Sequence, residues 1–118
     1  MEYKKAKAFY DEHQNRLKDF FARSEVSLIQ KSHKPYESLA LLLAAKEAIF
    51  KSADLPWMGA DGFRKIRIIS RKNQELCFRL SGNFKRSFSR RWAPVLSFMK
   101  SKDYVIAECR PRKSRNSL

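Results

Sequence analysis

Apolar residues fill positions 39–51, LALLLAAKEAIFK. Leu39, Leu42, Leu43, Ala44, Ala45 and Ala48 cover nearly every side of a helix, and Leu and Ala favour that conformation. A helix that is apolar all round belongs inside a protein. The stretch therefore predicts a buried central helix, starting at about Tyr36. It ends in Lys46, Glu47 and Lys51, where burying charge is costly. Ahead of it, residues 2 to about 23 predict one helix. Phe9, Leu17, Phe20 and Phe21 supply its apolar side, with Lys4, Lys5, Lys7, Arg16, Lys18 and Arg23 around it. Ser24 and Glu25 with Val26, Leu28 and Ile29 predict a second, short helix. Ser32-His33-Lys34-Pro35 ends it, because Pro35 disfavours helix in the residue before it.

Beyond residue 62 the period changes from helix-like to two. Ile66 and Ile68 alternate with Lys65 and Arg67, and Leu76, Phe78 and Leu80 alternate with Cys77 and Arg79. These patterns predict strands over 64–70 and 75–80, joined by a hairpin turn at 71–74. Pro56, Gly59 and Gly62 mark 54–62 as a loop. A short basic helix is expected over 83–91, then strands over 94–99 and 103–108 with a turn at 100–102. Residues 110–118 read as a basic, flexible tail. The expectation is a single domain over 1–109. Its class is α+β, with N-terminal helices and a long central helix packed on a small antiparallel sheet.

Composition fits a folded chain: 118 residues, 43% hydrophobic, nine Phe. No apolar run is long enough to span a membrane, and the charged N-terminus shows no secretory signal. A cytoplasmic location is expected, with Cys77 and Cys109 as reduced, buried thiols. A net charge of +14 calls for an anionic partner. His13 and His33 have no ligand-spaced neighbours and read as surface residues. Neither a Gly-rich phosphate loop nor a G-x-S-x-G nucleophile context is present. In FKRSFSRRW at 84–92, Phe84, Phe88 and Trp92 fall four apart. That is the spacing of a helix packing face, although base stacking on a nucleic acid is the alternative.

The charged end of the central helix has two readings. Glu47 and Lys51 are spaced for an i, i+4 ion pair. They are also a carboxylate that can hold a metal, beside lysines that can meet an anion. The segment Ala44-Ala45-Lys46-Glu47-Ala48-Ile49-Phe50-Lys51 resembles the K-E-A-x-x-K signature of the 4′-phosphopantetheinyl transferases, holo-[acyl-carrier-protein] synthase type. Glu25, Pro35 and Leu39-Ala40 fall where that family has an acidic residue, a turn and the start of its central helix. Phe63-Arg64-Lys65-Ile66-Arg67-Ile68 looks like its F-x-x-I-x-I strand. Leu80-Ser81-Gly82 looks like its L-x-G element, and Asp103-Tyr104-Val105-Ile106-Ala107 like its closing strand. The resemblance runs in order from about residue 20 to 109.

That resemblance implies a phosphopantetheinyl transferase-like fold. It also implies transfer of the phosphopantetheine arm of coenzyme A to a serine of an acidic acyl carrier protein, assisted by Mg2+. Glu47 matches the metal-binding, catalytic glutamate. Lys46 and Lys51 match lysines that meet phosphate, and Lys51 also assists proton transfer. Lys100 stands where the family has a histidine near the phosphates. The basic surface carrying Arg16, Lys18 and Arg23 matches the carrier-protein docking surface, and a homotrimer is implied. Leu42 replaces an arginine of the family. Residues 1–5 hold no G-x-D stretch, so one metal ligand of the family is either missing or supplied by another residue such as Glu2, Asp11 or Glu12. Two other functions remain open at this point: a non-catalytic member that binds carrier protein or coenzyme A, and a small basic nucleic-acid-binding protein.

Overall fold

The apolar stretch becomes the middle of an 18-residue helix, Pro35–Ser52. The computed structural model describes residues 1–52, 59–80 and 93–112. Three helices lead into the sheet: α1 (Tyr3–His13), α2 (Arg23–Lys31) and the central α3 (Pro35–Ser52). Pro35 stands at the first position of α3, where its missing N–H costs nothing. Every residue from Leu39 to Lys46 along α3 is buried, as the all-round apolar pattern requires.

The single N-terminal helix expected over 2–23 is in fact broken. α1 stops at His13, and a 3-10 turn at Leu17–Asp19 follows before α2. Gln14, Asn15 and Arg16 offer nothing apolar to bury, so the chain turns there. The turn is fastened by aromatic contacts. Phe9 stacks on His13 with ring centroids 4.3 Å apart, and Phe20 meets Phe9 edge-on at 5.2 Å. His13 Nδ1 also lies 3.0 Å from the Phe9 carbonyl oxygen.

A fourth helix, α4 (Gly59–Arg64), occupies part of the expected loop. It delivers the chain to an antiparallel sheet: β1 (Ile66–Lys72), β2 (Glu75–Leu80), β3 (Ala93–Lys100) and β4 (Val105–Arg112), in the order β1-β2-β3-β4. The first hairpin turn is tighter than the expected four residues. Lys72 pairs with Glu75, leaving Asn73 and Gln74, and Asn73 takes φ 56. Asparagine tolerates that left-handed backbone better than most residues. The alternation holds at Ile66 and Ile68, both buried, until an irregularity between Ile68 and Ser70 leaves Ile69 exposed.

Among the described residues β2 and β3 share the register pairs Glu75–Ser97 and Leu76–Leu96, a short seam between the β1–β2 and β3–β4 hairpins. β4 runs to Arg112 and pairs with β3 along its length. Residues 110–112 therefore belong to the sheet, not to the expected tail. At the other end of β4, the Met1 ammonium donates to the Val105 carbonyl at 2.8 Å, and Glu2 bridges Tyr104. α3 packs on β3 and β4, with α1 and α2 against it. The helix and face expected over 83–92, and the tail beyond 112, lie outside the described residues.

Candidate active site

α3 sorts the three charges of K-E-A-x-x-K by direction. Successive residues are about 100° apart on a helix, so Lys46 and Glu47 cannot share a side. Lys46 faces inward and its side chain has no exposed surface. Its Nζ donates to Glu25 Oε1 at 2.8 Å and to the Phe63 carbonyl at 2.8 Å. It also lies 4.8 Å from the centroid of the Phe21 ring. Glu25 is buried too. Its Oε1 accepts from the Ala22 N–H at 2.8 Å, capping α2, and its Oε2 accepts from the Ile68 N–H at 3.0 Å. A buried pair is tolerable only when such extra bonds satisfy it. Burial holds the Lys46 ammonium below its usual pKa, and the charge and hydrogen bond of Glu25 pull it part of the way back. Lys46 thus meets protein groups, not the phosphate expected for it.

Glu47 lies half-buried at the surface of α3, and Lys51 is exposed. Among the described residues Glu47 makes no hydrogen bond or ion pair, and the expected Glu47–Lys51 bridge is not formed. An uncommitted carboxylate is what a metal ligand requires. Magnesium keeps several waters and needs only one or two carboxylates beside phosphate oxygens, so Glu47 suits it as a single protein donor. No group of three His, Cys, Asp or Glu side chains gathers among the described residues. Glu2, Asp11 and Glu12 are exposed at and along α1.

The remaining expected residues lie elsewhere. The C-terminal end of α3 meets β4 near Cys109; burial raises the pKa of that thiol, and the neighbouring Ser52 lowers it in part. Cys109 sits opposite Leu96, whereas Lys100 sits opposite Val105, four residues along. That separation is about 13 Å at the usual rise of a strand. Within one chain, Lys100 and Lys51 therefore stand at different ends of the α3–β4 contact. Arg16, Lys18 and Arg23 are all exposed. Arg16 is engaged by Asp19 at 3.0 Å, while Lys18 and Arg23 have no carboxylate partner among the described residues. Cys77 is exposed, contrary to the buried thiol expected.

The order of these parts has a counterpart among known proteins. The family model of the 4′-phosphopantetheinyl transferase superfamily matches residues 3–109. The chain belongs to this superfamily. The match spans α1 through most of β4, and the α+β fold with helices on a four-stranded antiparallel sheet agrees with it. A phosphopantetheinyl transferase-type function follows in broad terms, with coenzyme A and a carrier protein as the family's general partners. No curated protein matches the chain. Among the described residues, no helix is long and apolar enough to cross a membrane.

Sequence reasoning noted Glu25 only as a matching acidic position and missed its role as the partner of Lys46. A signal was present. Glu25 falls at the third position of a short helix, where a carboxylate reaches back to the cap N–H. A lysine inside an all-apolar helix also demands a buried anion. No local pattern joins two residues 21 positions apart.

Proposed function

We propose that the chain is a holo-[acyl-carrier-protein] synthase-type transferase that moves 4′-phosphopantetheine from coenzyme A to a serine of an acidic acyl carrier protein, with Mg2+. The observation that carries this reading is the uncommitted carboxylate of Glu47, in the K-E-A-x-x-K segment of a chain matched to the superfamily over residues 3–109. Glu47 would hold the metal. The metal would neutralise phosphate oxygens and stabilise the charge that develops on them. Lys51, exposed one turn later, meets the diphosphate and assists removal of the serine proton. Lys46 holds α3 in place through Glu25 and so positions Glu47. Lys100 serves a phosphate as a point charge. Because Lys100 and Lys51 stand apart within one chain, the reading places the site between subunits of a homotrimer. Arg16, Lys18 and Arg23 supply positive surface for the acidic carrier, and the cytoplasm is the expected location.

The test is incubation of the protein with coenzyme A, Mg2+ and apo carrier protein, read by intact mass. The carrier is expected to gain one phosphopantetheine, and the gain should disappear with Glu47→Ala. Binding of carriers without any mass gain would replace this reading with a non-catalytic one.

A further inference from the structure

Lys18 and Arg23 reach a second feature of the molecule. The 3-10 turn, the start of α2 and the end of α4 enclose a bowl of about 630 Å³, and Lys18, Arg23 and Arg64 all line it. Among the described residues no carboxylate lines it. None of the three cations has an acidic partner among the described residues. Ser27 and Gln30 add neutral hydrogen-bonding groups to the wall. Like charges converging on one concavity repel one another unless an anion enters.

We propose that this bowl is a binding site for a small phosphorylated molecule, separate from the site around Glu47. Its volume lies in the range of small-molecule pockets. The planar forks of two arginines suit phosphate oxygens, which they can grip bidentately, while a lysine adds a mobile point charge. Three cations around one concavity of this size fit a compact diphosphate or phosphomonoester. The bowl also stands directly on the buried ion pair. Phe21 and Ala22 line it; the Phe21 ring holds Lys46, and the Ala22 N–H holds Glu25. Arg64 follows Phe63, whose carbonyl is the other partner of Lys46. An anion here is therefore seated on the group that fixes α3.

Isothermal titration of the full chain with inorganic pyrophosphate, without metal, tests the assignment. One saturable site is expected. Arg64→Ala and Arg23→Ala should each weaken it at least about tenfold, the scale of one lost charge-assisted contact. Arg16→Ala, outside the bowl, and Glu47→Ala should leave it unchanged. All four side chains lie at least partly at the surface, and circular dichroism of each variant checks folding. Parallel titrations with adenosine 5′-diphosphate and coenzyme A, each repeated with Arg64→Ala, identify which source of the phosphate the bowl takes. The proposal is overturned by the absence of saturable binding, or by equal weakening with Arg16→Ala, which would mean diffuse charge. It is also overturned if Glu47→Ala abolishes binding while the bowl variants keep it. Saturable binding of an acidic helical peptide with none of pyrophosphate would also overturn it, leaving Lys18 and Arg23 to the carrier-docking surface alone.

Discussion

Lys46 Nζ and Glu25 Oε1 lie 2.8 Å apart, with side chains 0% and 1% exposed. The pair is asymmetric. Glu25 keeps two backbone donors if Lys46 is removed, from Ala22 and Ile68. Lys46 keeps only the Phe63 carbonyl and the Phe21 ring if Glu25 is removed. Glu25→Ala should therefore destabilise by about 3–5 kcal/mol, the usual effect of stranding a buried charge. Lys46→Met should do less harm, about 1–3 kcal/mol, since the carboxylate it leaves is still hydrogen-bonded. Urea midpoints of the two variants check the order. The reverse order would mean that the backbone donors do not sustain the carboxylate.

The pH dependence has a definite sign. Lys46 has a folded-state pKa depressed below its ordinary value of 10.5, first by burial. Below the folded value both states carry the proton, and the burial penalty is fully present. Between the folded value and 10.5 the unfolded chain holds more protons, so this group's contribution to stability rises with pH. The stability of the wild type relative to Lys46→Met should therefore increase as pH climbs through the alkaline range toward 10.5. Denaturant unfolding of both proteins at a series of pH values measures it. A flat or falling difference would contradict the depressed pKa.

Glu47 and Glu25 should separate function from stability. Glu47 makes no hydrogen bond or ion pair among the described residues, so Glu47→Ala should change stability by no more than about 0.5 kcal/mol. If Glu47 holds the metal, the same change should lower the transfer rate by about a hundredfold or more. Parallel thermal melts and transfer assays check both halves. Full activity in Glu47→Ala would remove the proposed role.

Tyr3 offers a simpler test of burial. Its hydroxyl is buried without a hydrogen-bond partner among the described residues, and burial, then the Glu37 charge, raises its pKa. Removing an unsatisfied polar group should be neutral or favourable. Tyr3→Phe is expected to leave the unfolding midpoint unchanged or to raise stability by up to about 1 kcal/mol. A clear loss would show that the hydroxyl has a partner in solution.

Much of this architecture is legible in the chain because the signals are local. The solid apolar run at 39–51 announces a buried helix, and alternation at Ile66 and Ile68 announces a half-buried strand. Errors fell where local pattern was weak. Phe9 and Leu17 can be placed on one continuous helix, yet the polar Gln14-Asn15-Arg16 turn lets Phe20 fold back onto Phe9. β4 continues through Arg110 because pairing with Val95 outweighs its polar composition. The site was legible in type but not in direction. K-E-A-x-x-K shows which charges are present, while only the packing of α3 shows that Lys46 faces inward and Glu47 outward. The bowl joins Arg64 to the segment from Lys18 to Gln30, which no spacing rule connects.

The bonds of Glu25 also bear on how the molecule folds. They reach 3, 21 and 43 residues along the chain, to Ala22, Lys46 and Ile68. The first can form as soon as α2 coils. The bond from Lys46 must wait for α3, and the bond from Ile68 for β1. Long loops must close before those contacts reward the chain, so the complete set belongs to the late side of the folding barrier. Once formed, it makes the helical layer and the sheet open together: lifting either one away breaks a bond to the same carboxylate. The element that carries the K-E-A-x-x-K charges is thereby tied to contacts that close only after distant stretches of chain have come together.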